Sequence, residues 1–285
     1  MMKKVISLCL FAPVRGHSTG LDREDNLLWY SRYLPLVIIG YRALFPDFEV
    51  WLHSNLPLES VKDGGVTKWS AENSVIKYIH VKRDDPMCLA MLWRLMPLFD
   101  DSVEYVFCRD VDAMPRVKDR KAVEAFIASK YVVHAILDRP AHAGLMGGMG
   151  GFFASKIREM LPEKSWLEYA SKPLDWAKHG ADQVFLDHHL WRPLVGRKLM
   201  HDFIVRPSTA NPTRVFKDVN AIELGDVPEA LQVELNNFKG YIGTPINQDG
   251  EYCVADALQI LRKYGYYINE TTDKGFNASR NLFHN

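Results

Sequence analysis

Tyr105-Val106-Phe107-Cys108-Arg109-Asp110-Val111-Asp112-Ala113-Met114-Pro115 is the stretch on which the reading of this chain turns. Residues 105–108 form a short apolar run of the kind that buried strands have, and Pro115 cannot continue a central strand because it has no N–H to donate. The strand therefore ends in an acid-x-acid triplet. Side chains alternate across a strand, so Asp110 and Asp112 can point the same way while Val111 turns into protein. Two carboxylates so placed offer hard oxygen ligands on one side of a divalent cation. They leave the rest of its sphere to water and phosphate oxygens, which suits Mg²⁺ or Mn²⁺. A solvated acidic turn is the plain alternative, since so short a pattern recurs by accident.

Working outward, the flanking segments alternate in period. Residues 5–12 read as a buried strand, and the polar stretch 15–26 as a loop into a helix. Leu27, Tyr30, Leu34, Val37, Ile38, Tyr41, Leu44 and Phe45 keep helical spacing, with a kink expected at Pro35. Residues 48–53 and 75–81 read as strands, and 87–99 return to helical spacing through Met91, Leu92, Leu95, Met96 and Phe99. After the acidic triplet, 121–129 look helical and 131–137 form a β-rich apolar run. Alternating strands and helices predict a three-layer α/β/α sandwich around a mostly parallel sheet. In such sheets ligands bind outside the carboxyl ends of the strands, where the triplet lies.

Downstream, Gly144-Leu145-Met146-Gly147-Gly148-Met149-Gly150-Gly151-Phe152 matches neither G-x-G-x-x-G nor the P-loop. So many glycines mean either repeated positive φ angles or backbone pressed close to something bulky, as a structural turn or as a ligand-facing loop. Gly180-Ala181-Asp182-Gln183 reads as a helix start with Asp182 near the cap. Asp187-His188-His189 is read as solvated or packed, because adjacent side chains diverge on a helix. His201 stands in a later segment. If a metal sits at Asp110 and Asp112, a neutral imidazole from a distant segment is a common further ligand. A helical stretch is expected at 254–263, followed by a polar tail.

Composition narrows the classes of partner. The 285 residues are 47% hydrophobic, enough for a sizeable core, and Lys plus Arg balance Asp plus Glu at 35 each. A neutral chain gives no global argument for nucleic acid or an anionic membrane. Cys9, Cys88, Cys108 and Cys253 lie far apart with no C-x-x-C spacing, which fits reduced thiols and a cytoplasmic location better than disulfides or zinc. The basic and apolar N-terminus lacks a small-x-small cleavage site and reads as a first strand, and no run reaches transmembrane length. The acceptor-like Asn269-Glu270-Thr271 and Asn277-Ala278-Ser279 are then chance matches.

Taken in order, the N-terminal strand, Trp93-Arg94-Leu95, Asp110-Val111-Asp112, the Gly-rich segment, Asp182-Gln183 and His201 with a basic residue soon after resemble a GT-A-fold, metal-dependent nucleotide-sugar glycosyltransferase. The motif logic is similar to glycosyltransferase family 8, and closer still to small glycosyltransferases of capsule, lipopolysaccharide and viral glycan synthesis. The resemblance spans about residues 5–207, leaving a C-terminal extension at 208–285 of a single catalytic domain. It implies that Asp112 and His201 bind Mn²⁺ or Mg²⁺, with Asp110 on the metal or the ribose. It places Arg94 on the donor sugar or its neighbouring acid, Asp138 on sugar hydroxyls, the Gly147-Gly148 backbone along the sugar, and Asp182 or Gln183 at the anomeric carbon. Arg206 stands nearest the residue that holds the diphosphate, although the Gly that accompanies it in family 8 is absent. The implied partners are a nucleotide-sugar donor, UDP-linked by family frequency, and a glycan or other hydroxyl acceptor. The oligomeric state is left open.

The chemistry asks for these residue types. Cleaving the bond between sugar and diphosphate leaves charge on phosphate, which a cation and an arginine stabilise, while the oxocarbenium-like sugar favours a nearby carboxylate or amide oxygen. Three other readings stand beside this one. A haloacid-dehalogenase-type phosphatase would want its D-x-D near the N-terminus. A nucleotidylyltransferase would want a Gly-rich basic loop after the first strand. A non-catalytic sugar-nucleotide-binding protein would have no need of crowded, unpaired carboxylates. Trp166, Tyr169 and Trp176 could form an acceptor platform, with packing the alternative use.

Overall fold

The structure is a computed structural model that describes residues 2–11, 34–56, 76–83, 85–113, 115–137, 144–202 and 220–222. Its centre is a sheet of eight strands: β1 (Lys3–Cys9), β2 (Glu49–Ser54), β3 (Ile76–His80), β4 (Val103–Cys108), β5 (Val133–Leu137), β6 (Gly150–Phe153), β7 (Lys198–Asp202) and β8 (Asn220–Ile222). They lie in the order β3-β2-β1-β4-β6-β5-β7-β8. Every neighbouring pair is parallel except those made by β6, which runs antiparallel to both β4 and β5. The α/β sheet expected from the alternating periodicities is therefore present, with one reversed strand inside it.

Alternation along the strands sends side chains into two cores. Val5 and Cys9 of β1 join one, together with Trp51, Val106, Cys108, Val133 and Ala135, while Ile6 and Leu8 join the other with Val50, Leu52, Tyr105 and Phe107. Continuous apolar strands of this kind are what a sheet covered on both faces requires. The first core is closed by α2 (Met87–Ala90), which tightens into a 3₁₀ helix over Met91–Phe99, and by α4 (Ala154–Met160), α5 (Trp166–Ala170) and α6 (Ala181–Leu186). The second is closed by α1 (Leu34–Leu44) and α3 (Val117–Ile127), through Val37, Ile38, Tyr41, Val123 and Phe126. Helices thus cover both faces, giving the three layers.

Several local expectations shift in the structure. Among the described residues α1 runs from Leu34, and the expected kink at Pro35 turns on preceding residues that lie outside the described ones. Pro97 lies in the 3₁₀ stretch, and α3 starts four residues before the expected 121. The Gly-rich segment contains a strand, β6, where only a turn or loop was expected. Trp166 and Tyr169 are buried in the first core and Trp176 packs against it, which is the packing use and not an exposed platform. Cys9, Cys88 and Cys108 are buried thiols that form no disulfide. Cys253, the expected helix at 254–263 and the two Asn acceptor sites lie outside the described residues. No helix among the described residues is long and apolar enough to cross a membrane.

Candidate active site

Because β1, β2, β3 and β4 are parallel, their carboxyl ends share one edge of the sheet, and Asp110 to Asp112 follow β4 directly at that edge. The reversal of β6 brings a second segment to the same place. A strand antiparallel to β4 starts where β4 ends, so Gly151 pairs with Phe107 and the Gly147-Gly148 turn is delivered beside the acidic triplet. Sequence predicted the two pieces, and the reversed strand joins them.

The contacts are close. A Cβ added to Gly148 would overlap the carboxylate of Asp110, so only glycine lets the backbone lie against that side chain. A Cβ at Gly147 would stand 3.4 Å from Nε2 of Gln183 and 3.9 Å from Oδ2 of Asp182. The turn is therefore flanked by the strand-end carboxylate on one side and by the first turn of α6 on the other. Gly180, with φ of 80°, is the residue from which that helix starts. Gln183 Nε2 donates to Asp182 Oδ2 at 2.8 Å. Asp182 is nearly buried.

Arg94, on the 3₁₀ helix beneath this edge, approaches from the same layer. Its Nη1 donates to Asp110 Oδ1 at 2.6 Å, and its Nε to the Met91 carbonyl at 2.7 Å. Arg94 is 5% exposed in its side chain and Asp110 35%, so a buried cation anchors a carboxylate whose outer part reaches solvent. Burial works against the Arg94 charge, but the nearby Cys9 and Asp110 hold its pKa above the ordinary arginine value. Asp112 is 7% exposed. Burial, and after it the Asp110 charge, push the Asp112 pKa up to about 7, with Arg94 opposing. Two carboxylates held close with one of them straining against ionisation form a donor set that a divalent cation relieves, so the pair fits the metal that the sequence suggested.

His201 is not gathered with them. On β7 it follows Met200, which faces the first core, and so belongs to the opposite face with Leu199. It is fully buried, and its Nδ1 lies 2.6 Å from Nε2 of His134 on the neighbouring strand β5. The His134 ring stacks on Phe126 at 5.2 Å between centroids. Desolvation lowers both imidazoles, His201 to about 4 and His134 well below the ordinary value, so they are neutral core groups. Among the described residues no group of three or more His, Cys, Asp and Glu is arranged to hold a metal, and the carboxylates that this part of the chain offers a cation are Asp110 and Asp112. Asp138 and Arg206 lie outside the described residues.

Arg109 and Asp119 were not singled out in the sequence, yet they form the most completely buried ion pair of this edge. Arg109 Nη2 and Nε donate to the two Asp119 oxygens at 2.6 and 3.0 Å, and Nη1 donates to the carbonyls of Cys108 and Gly150 at 2.7 and 2.9 Å. The side chains are 2% and 0% exposed. Removing one partner of such a pair costs about 3–5 kcal/mol because it strands the other charge. A charged residue closing an otherwise apolar strand was the available signal.

No protein-family profile matches the chain, and no curated protein matches it in sequence. In structure it is similar to the crystal structure of a "putative nucleotide-diphospho-sugar transferase" from Desulfovibrio desulfuricans G20. The TM-score is 0.43 at 9% identity, over 96% of this chain and 99% of that one.

Proposed function

We propose that the protein is a metal-dependent glycosyltransferase, moving a sugar from a nucleotide-diphosphate donor, UDP-linked, to a hydroxyl of a glycan acceptor. The observation that carries this reading is the convergence of four separated segments at one sheet edge. Arg94 holds Asp110, Gly148 admits Asp110, and Gly147 abuts Asp182 and Gln183. Glycine backbone beside paired carboxylates leaves room for a bulky phosphorylated ligand, and a carboxylate pair backed by a buried arginine is how a cation site is kept charged yet ordered.

In this reading Asp110 and Asp112 hold Mn²⁺ or Mg²⁺, which supplies Lewis-acid stabilisation of the diphosphate. Arg94 fixes the Asp110 rotamer and offsets the mutual repulsion of the two acids. The Gly147-Gly148 backbone lies along the donor sugar, and Asp182 with Gln183 faces its anomeric carbon, where an oxygen stabilises developing positive charge. The bond from the anomeric carbon to the β-phosphate oxygen breaks with its electron pair on that oxygen. The acceptor oxygen bonds to the same carbon, and in a retaining course its proton passes to the departing phosphate. Asp138 on the sugar hydroxyls and Arg206 on the diphosphate complete the proposal, while His201 is left to the core.

The test is a thermal-shift screen of UDP, GDP, CDP and TDP nucleotides with and without Mn²⁺, since a ligand bound only by the native state adds about 2.7 kcal/mol at a hundredfold excess over its Kd. One nucleotide is expected to raise Tm only when Mn²⁺ is present, and Asp112→Asn is expected to abolish that rise while folding normally. A wild-type protein that no pair stabilises, or an Asp112→Asn variant stabilised as much as wild type, would end the assignment.

A further inference from the structure

Two ion pairs grip the acidic triplet from opposite faces of the sheet. Asp110 is drawn to the first-core face by Arg94, and Arg109, the residue just before it, is drawn to the second-core face by Asp119 of α3. The same Arg109 guanidinium donates through Nη1 to the carbonyl of Gly150, two residues after Gly148. One buried side chain is thus tied to the strand before the carboxylates, to α3, and to the start of the glycine strand. The Arg109 and Asp119 side chains are 2% and 0% exposed, so the bonds between them have both ends inside the protein.

We propose that Arg109 and Asp119 are the positioning residues of the site, setting the separation between the Asp110-Asp112 carboxylates and the Gly147-Gly148 turn. The proposal rests on the glycosyltransferase reading for what the site binds, but not for the geometry itself. Neither residue touches the ligand. The Arg109 fork fixes Cys108 and Gly150 relative to one another, and Gly148 and Asp110 follow because each lies within two residues of a fixed carbonyl. Outer partners of this kind orient the groups that bind a metal, and their loss weakens metal affinity about 10–100-fold. Lysine cannot replace the fork, because only guanidinium supplies the paired donors together with a third and fourth bond in fixed geometry.

The experiment compares wild type with Asp119→Asn and with the double variant Arg109→Met/Asp119→Leu, which replaces the pair by apolar groups of similar volume and so folds even if the charge-unbalanced variant does not. Val123→Ala, a cavity in the same helix α3, is the control that loosens packing without touching the pair. Hydrogen exchange is read at residues 109–113 and 146–151. Both segments are expected to exchange at least tenfold faster in the pair variants and not in Val123→Ala, while β1 stays protected. Acceleration confined to α3, or equal in Val123→Ala, would overturn the proposal. Mn²⁺ titration followed by electron paramagnetic resonance is the second readout, with binding at least tenfold weaker expected in the pair variants. Wild type that binds Mn²⁺ alongside pair variants that bind it equally would refute the positioning role. Wild type that binds no Mn²⁺ would refute the metal reading alone, and the exchange data would still decide the geometry.

Discussion

The backbone of Gly148 lies against the carboxylate of Asp110 so closely that no side chain larger than hydrogen fits between them. Asp110 cannot retreat freely, because Arg94 holds its other oxygen. Gly148→Ala is therefore expected to swing Asp110 off Arg94 and to weaken Mn²⁺ binding at least tenfold, in line with losing the orientation of a metal-binding carboxylate. Gly147→Ala is the matched control, since its Cβ would meet Gln183 at 3.4 Å and needs only a small shift. Isothermal titration of both variants checks this. Equal affinities would show that the close approach has no bearing on the cation.

Gly151 gives a second reading of the same segment, on stability and not on binding. A Cβ there would stand 2.6 Å from the Phe107 ring and 3.2 Å from His134, both in the core. Gly151→Ala is expected to destabilise by about 1–3 kcal/mol through overpacking. Gly180→Ala, with open space around it but φ of 80°, is expected to cost about 1 kcal/mol through backbone strain alone. Urea denaturation of the two variants orders these costs, and a Gly151→Ala protein as stable as wild type would contradict the packing described here.

Stability should respond to pH in two opposed ways. Burial lowers His53 and His201 to about 4 and His134 well below its ordinary value. Their contribution is full above about pH 6.5, the unfolded value, and is lost as pH falls towards about 4, because the unfolded chain takes up protons that the native core refuses. For His53 alone this is on the order of 3 kcal/mol. Asp112 acts in reverse. Burial and Asp110 raise it to about 7, so its contribution is full below about pH 4 and is lost as pH rises to about 7. Tm measured from pH 4 to 8 is expected to fall on the acid side through the histidines. Asp112→Asn is expected to steepen that fall, and millimolar Mn²⁺ to raise Tm mainly above pH 6. A variant whose pH profile superimposes on wild type would show that Asp112 titrates as an ordinary surface carboxylate.

Much of the site could be read one segment at a time. Asp110, Asp112, Gly147, Gly148, Asp182 and Gln183 stand out in local pattern and Arg94 through the family resemblance alone, and folding brings them to a single edge. His201 was picked by the same logic, yet it pairs with His134, because a residue's face in a strand depends on register with its neighbour and not on residue type. Arg109 is not legible in the sequence, because an arginine after an apolar run reads as a strand leaving the core and its partner Asp119 is ten residues away in a helix.

The alternation of strands and helices, the end of β4 at two carboxylates, and the demand of the Gly-rich segment for close backbone approach are all written in local pattern. These depend on side-chain period and on proline and glycine chemistry, which act over a few residues. That Gly150–Phe153 is a strand, and that it runs backwards, emerges from long-range pairing. Glycines have little intrinsic β preference, and this segment is held extended by its place between β4 and β5. That insertion sets Gly148 on Asp110 and Gly150 on Arg109, pairings separated by about forty residues of chain that no local pattern encodes.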